Sequence, residues 1–429
     1  MLSIVFIVAL ILLFIIGVPV AFSLGITAVL LMVLGWGAIR LGSLPQLMVA
    51  GVNTFTILAV PLFLLAGKLM NSGGITDRIF EFCRRCVGFF PGGLAHVNIL
   101  NSIIFAGMSG TAVSDAGGPG AIEIKAMTEN GYDKEFACAV TCASATVGPI
   151  IPPSLPMVVY GMMASVSIGA LFMAGIIPGL LMGLVMMVVV FFYAKKRNYP
   201  REPFPTLNIF WQALRKGFLP LLTPVIIIGG IYTGIFTPTE AAVVVVIYAL
   251  ILTVFVYKEM TWPKLYQVLL ETVIDSAAIG LILATSTLYG NVVIRAQIPQ
   301  TVLAVLTEAI HSPMVMLLVL NLFLLVVGCF LETVSAITIL MPLILPLLEA
   351  TGINPIQFGV IMVLNLMIGV LTPPFGLVLF VTSRIGDVPI PRLTRELLPW
   401  LGGLLVALTL VTVFPDITLF VPRMLGLVK

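Results

Sequence analysis

GPIIPPS, residues 148–154, lies within an otherwise apolar stretch running from about 136 to 162. Pro152 and Pro153 have no N–H to donate, and their rings clash with the preceding turn, so a helix cannot pass through them unbroken. The same device recurs in GVLTPPFG, residues 369–376, within the apolar stretch 357–382. An interrupted helix exposes orphan carbonyls on its first half and orphan N–H groups on its second. Carbonyls at a negative dipole end suit a small cation, and N–H groups at a positive end suit a carboxylate.

The two breaks belong to a longer internal repeat. Sliding the chain on itself by 221 residues puts Gly107 on Gly328, Val113 on Val334, Ser114 on Ser335, Gly131 on Gly352, Gly148 on Gly369 and Pro152–Pro153 on Pro373–Pro374. Five of these seven identities in 47 columns are Gly or Pro, the residues that interrupt helices. Ahead of each break stands a pair of apolar segments too short for a full crossing, 92–107 with 110–127 and 312–328 with 332–348. Each pair has a small or polar centre and reads as a re-entrant helical hairpin. Such backbone at membrane depth is tolerated only where protein or a watery cavity shields it.

Composition sets the environment. Of 429 residues, 60% are hydrophobic and 9% are charged, against about 25% charged in an ordinary soluble domain. That excludes a soluble globule, a disordered chain and a disulfide scaffold, and leaves a polytopic helical membrane protein. Full spans are expected near 2–17, 19–36, 55–71, 169–194, 218–235, 239–257, 274–294 and 398–420, with two interrupted spans at the breaks. With the N-terminus outside, 17 of the 21 Lys and Arg residues fall on the cytoplasmic side, and only Arg40, Arg295, Arg423 and Lys429 fall outside. The odd number of crossings in the first half inverts the second. The expected fold is therefore an all-α inverted-repeat transporter with two hairpins and two broken helices. Residues 1–194 form the first repeat, 195–217 a cytoplasmic amphipathic linker and 218–429 the second. Segments 41–54 and 259–273 are also amphipathic and read as interfacial braces. The positive charges serve topology, so nucleic acid is not an expected partner, whereas membrane lipid is.

Inverted repeats with paired broken helices point to the binding site of a secondary transporter. The first hairpin tip, GMSGTAVSDAGGPG (107–120), supplies Ser109, Thr111, Ser114 and Asp115. The second, GCFLETVSA (328–336), supplies Glu332, Thr333 and Ser335. Glu332 is either an intramembrane functional carboxylate or a partner of Arg295 at the mouth. Ser154 is placed to cap the half-helix after its break, and Thr372 adds a hydroxyl to the other. Asn101, Ser144 and Asn365 read equally as cavity lining or as interhelical hydrogen bonds. An enzyme is not expected. The chain has only two histidines, His96 and His311, near hairpin ends on opposite faces, so neither serves as base to Ser109. The five cysteines form no metal-binding pattern.

With GIFTPTEAA (234–242), GPIIPPS, NLMIGVLTPPFG (365–376) and SGTAVSDAGGPG taken together, the chain resembles, end to end, the large membrane subunit of a TRAP (tripartite ATP-independent periplasmic) transporter, the DctM type. With no four-span stretch ahead of it, it resembles the unfused form. The resemblance implies a multi-pass subunit of the bacterial inner membrane. Its function would be Na⁺-driven import of an organic acid such as a C4-dicarboxylate, sialic acid or another sugar acid. Its partners would be a small four-helix membrane subunit and a periplasmic substrate-binding protein, and its core would move as an elevator. It also implies two or more Na⁺ ions, one held by Ser109, Gly148 and carbonyls around Ile151 and Pro153, another by Gly328, Gly369 and Thr372. By position, Ser114, Asp115, Ser154, Thr333 and Asn365 are the candidate substrate contacts. TPTEA (237–241) reads as structural or as a binding-protein contact. A self-sufficient Na⁺/carboxylate symporter or ion antiporter of the same architecture is the alternative.

Overall fold

The computed structural model describes residues 9–10, 12–13, 16–33, 41–300, 310 and 312–428. The expected span 2–17 lies largely outside them, as do Arg40, His311, Lys429 and the side chain of Ser109. Among the described residues there is no strand, and seven helices are long and apolar enough to cross a membrane. The chain is thus an all-α polytopic membrane protein.

In the first half, α1 (Val20–Val33), α2 (Leu44–Val52), α3 (Ala59–Ser72) and α4 (Ile75–Val87) precede the hairpin. Its first arm is α5 (Gly93–Ser109). Gly110, at φ +63°, turns the chain, and the Thr111 hydroxyl caps α6 (Ala112–Gly117) by accepting from Ser114 N at 3.3 Å. The second arm is not the continuous helix that its apolarity suggests. It breaks again at Gly118 before α7 (Pro119–Glu129), because GGPG offers no stiffening side chain and Pro119 cannot donate.

The first interrupted helix is α8 (Lys134–Ser144), one 3₁₀ turn (Ala145–Val147), the break, and α9 (Leu155–Ala164). Next come α10 (Ile168–Arg197), α11 (Leu207–Tyr232), α12 (Pro238–Leu250) and α13 (Trp262–Arg295). The second hairpin is α14 (Pro313–Gly328) with α15 (Thr333–Thr351), and the second interrupted helix is α16 (Pro355–Gly369) with α17 (Leu377–Gly386). The described chain closes with α18 (Ile390–Val413) and α19 (Asp416–Met424).

Two expected interfacial segments are continuous with the spans after them. Residues 207–217 open α11, which leaves only 198–206 as a non-helical connection. Residues 262–273 likewise open the 34-residue α13. Packing supports the helix across each join, and α11 runs on even through Pro220 and Pro224. In α11, Ala213 and Gly217 are buried, with Gly217 against Phe82 of α4.

The hairpins cross over. The α6 helix of the first packs on α17 of the second broken helix, and α15 of the second packs on α9 of the first. Each first arm stays with its own half, α5 on α8 and α14 on α16. Around this core, α13 lies along α1, α2 and α3, while α11 lies along α4.

Ion pairs gather among residues the charge count places on the cytoplasmic side. Arg78 pairs with Glu259 at 2.8 Å, Arg84 with Glu202, and Arg197 with both Asp133 (3.0 Å) and Glu396 (2.8 Å). Arg197 also lies over the Tyr193 ring at 4.9 Å. Replacing Arg197 by alanine strands the largely buried Glu396 and should cost about 1–2 kcal/mol, the range between exposed and buried pairs. The check is a lower unfolding temperature of the detergent-solubilised protein, with Lys195→Ala, which has no such partners, as the control.

Candidate functional site

At the first break, three prolines and the need for caps decide the geometry. Both Pro152–Pro153 and Pro373–Pro374 are cis bonds. The Ser154 side chain closes the loop, donating to the Pro149 carbonyl and accepting from Met157 N at 3.2 Å. Gly110 of the hairpin tip lies directly against this loop. Its carbonyl accepts from Leu155 N at 3.3 Å, and a Cβ added to it would lie 2.8 Å from the Pro153 oxygen. A Cβ on Gly148 would lie 3.7 Å from the Thr111 oxygen. Among the described residues no hydrogen bond ends on the carbonyls of Gly148, Ile151 or Pro153. Three of the four groups assigned to a cation from sequence are thus bare main-chain oxygens beside a hairpin tip, the chemistry a hard monovalent cation requires. The fourth, Ser109, is the last residue of α5, and its side chain lies outside the described residues.

Tip and break meet even more closely in the second half. A Cβ on Gly369 would lie 2.4 Å from Gly328 Cα, so only glycine allows the two backbones to touch. Cys329 O accepts from Phe375 N at 3.2 Å, tying the tip to the loop. No hydrogen bond among the described residues ends on the carbonyls of Gly328, Val370 or Thr372. The last two converge, each 2.9 Å from where a Cβ on Gly376 would stand. Thr372 Oγ1 donates to Ile368 O at 2.9 Å and keeps its lone pairs free. The Gly369 carbonyl already accepts from Thr372 N at 2.9 Å.

The two assemblies share one cleft. Thr111–Val113 from one tip, Glu332–Val334 from the other, Pro149 with Leu155, and Val370 with Leu377 surround a space of about 50 Å³. That is far below the 300–1,000 Å³ typical of a ligand pocket, so a substrate enters only if the tips part. Of the candidate substrate contacts, Thr333 lines the cleft, with Glu332 and Thr111 beside it. Glu332 caps α15, accepting from Ser335 N at 3.2 Å, and makes no ion pair with Arg295. Ser114 is half-buried one turn inside the first tip. Ser154 is occupied with its cap, and the fully buried Asn365 donates to Asn321 Oδ1, so neither lines the cleft and Asn365 is not a substrate contact. Asp115 is buried beneath the tip, beside Ser102 and near Glu123.

A buried carboxylate was missed from sequence. Glu123 is fully enclosed and accepts from Asn101 Nδ2 at 2.6 Å. Its spacing of four from Pro119 and Met127, both buried, was the available signal.

Residues 7–417 match the family described as Tripartite ATP-independent periplasmic transporter, DctM component. The chain is 46% identical over 408 residues to the sialic acid TRAP transporter large permease protein SiaM of Vibrio cholerae, covering 95% of each chain. It is 42% identical over 373 residues to the C4-dicarboxylate TRAP transporter large permease protein DctM of Pseudomonas aeruginosa, covering 87% of each. A solved structure of similar fold is the Alcanivorax borkumensis YdaH transporter, with a TM-score of 0.63, 14% identity and 87% of each chain covered. A family match over nearly the whole length, relatives above 40% identity, and paired hairpins facing paired helix breaks converge on one conclusion: the chain belongs to the DctM family of TRAP transporter large permease subunits and is not an enzyme.

Proposed function

We propose that this subunit imports an organic acid across the bacterial inner membrane, driven by Na⁺ and moving as an elevator. A periplasmic binding protein delivers the acid, and a small four-helix membrane subunit completes the scaffold. One observation carries the reading: both hairpin tips lie against both helix breaks around a single uncharged-walled cleft, save for Glu332, with bare carbonyls on either side. Ser109, Gly148, Ile151 and Pro153 would hold one Na⁺, and Gly328, Gly369 and Thr372 another. Thr333, with Thr111 at the facing tip, is the best-placed substrate contact. Residues 1–194 and 218–429 would act as the two repeats about the connection between them. The relatives' names favour sialic acid or a C4-dicarboxylate as cargo.

Each Na⁺ entering down an inside-negative potential contributes about 2.3 kcal/mol per 100 mV, so two ions with a monoanion such as sialic acid, or three with a dicarboxylate, leave a net driving charge. Uptake into proteoliposomes holding this chain, its small subunit and the binding protein is therefore expected to require external Na⁺ and to rise with inside-negative potential. Undiminished uptake in Na⁺-free, K⁺-only buffer overturns the reading. Uptake by this chain alone, without a binding protein, would favour the self-sufficient symporter.

A further inference from the structure

Each hairpin is tied to the broken helix of its own half by one buried asparagine. In the first half Asn98, on α5, donates from Nδ2 to Thr141 Oγ1 at 2.7 Å and accepts on Oδ1 from Ser144 Oγ at 2.6 Å. In the second half Asn321, on α14, accepts on Oδ1 from Asn365 Nδ2 of the broken helix and donates from Nδ2 to Thr412 Oγ1 of α18 at 2.9 Å. Ser144 and Asn365 coincide at the 221-residue offset, each four residues ahead of its break glycine, Gly148 or Gly369. That is about one helical turn. One half uses a hydroxyl and the other an amide, so what both halves keep is the bond and its height, not the residue.

The location gives the bond a task. In a bilayer, apolar contact between helices is little better than contact with lipid, so packing alone resists sliding weakly. A hydrogen bond, by contrast, is satisfied at one height only and so favours a single register. If α5 slipped along α8, the Thr111 carbonyl would leave Gly148. If α14 slipped along α16, Gly328 would leave Gly369.

We propose that the Asn98–Ser144 and Asn321–Asn365 ties set the register between hairpin tip and helix break and thereby fix the cation affinity of the two sites. Asn98 and Asn321 are positioning residues. This rests on the Na⁺-coupled reading above.

The test is Na⁺-activated uptake in proteoliposomes, fitted for the Na⁺ concentration at half-activation, the maximal rate at saturating Na⁺ and the substrate KM. Asn98→Leu and Asn365→Ala should each raise the half-activating Na⁺ concentration about tenfold, the effect of one lost buried hydrogen bond. Maximal rate and substrate KM should stay within about twofold. Asn365→Ser, which restores the hydroxyl used by the first half, should remain within about threefold of the parent protein. Ser144→Ala removes a single oxygen, keeps the comparison open if Asn98→Leu fails to fold, and should move half-activation in the same direction. Unchanged Na⁺ activation in Ser144→Ala and Asn365→Ala, or a change confined to maximal rate or substrate KM, overturns the proposal. Na⁺-independent uptake by the unmodified protein would instead overturn the coupling on which it rests.

Discussion

Substituting Gly369 should abolish transport even when the new residue is alanine. A Cβ there would lie 2.4 Å from Gly328 Cα and 2.7 Å from its carbonyl oxygen, all main-chain atoms that cannot swing aside. The second hairpin tip must then back away from its break. Overpacking of this kind costs at least 1–3 kcal/mol and more where the backbone itself is the obstacle, so uptake by Gly369→Ala should fall about 100-fold or further. Gly148 separates size from charge. A Cβ there meets nothing nearer than the Ala145 oxygen at 3.3 Å, so Gly148→Ala should retain uptake within about threefold. Gly148→Asp adds a carboxylate among bare carbonyls and should abolish it. Initial rates of Na⁺-driven uptake, measured at matched amounts of folded protein by size-exclusion chromatography, decide the matter. Equal losses in the two alanine variants would remove the argument from close approach.

Gly175→Val should be nearly as damaging, although the residue touches no candidate site. It lies on α10, which backs the first break, and a Cβ would fall 2.1 Å from the Ile150 carbonyl oxygen and 2.9 Å from the Met157 methyl. Four residues on, a Cβ at Gly179 would fall 2.3 Å from Ile151 Cγ1. The two glycines let the loop of bare carbonyls settle against the helix. Valine at 175 would push Ile150, and Ile151 after it, towards the cleft. A displacement near 1 Å at a geometry-critical site is worth about 100-fold in rate. The expected result is a comparable loss of uptake, with half-activation by Na⁺ shifted upward in whatever activity remains. Gly229→Val, on α11 with open space around its Cβ position, should leave uptake intact.

Much of this architecture is written locally. Proline and glycine act through the chain's own backbone, so Gly148–Pro153, Gly369–Pro374 and both tips were readable as interruptions without knowledge of any neighbour. The Lys and Arg clusters carried the topology for the same reason, and they recur as the ion-paired end around Arg84 and Arg197. What a polar side chain does once buried depends on which helix comes alongside, and that is not local. Ser154 read as a cap or a ligand and is seen capping α9. Asn365 read as lining or as an interhelical bond and is seen bonded to Asn321, 44 residues away. Glu123 was overlooked because its partner, Asn101, comes from the opposite arm of the hairpin. The continuity of α11 and α13 escaped a reading based on hydropathy, since a helix can leave the apolar layer without ending.

That continuity has a mechanical meaning. At about 1.5 Å per residue, the 34 residues of α13 extend about 51 Å, some 20 Å more than the oily interior they must traverse. That surplus is long enough to reach through the headgroup zone, and Trp262 and Tyr266 are exposed on its first turns, as interfacial aromatics are. A rod of that length does not need to stretch or shorten when the surrounding lipid becomes thicker or thinner. It leans or draws in exposed turns, and the part of the subunit it braces stays level.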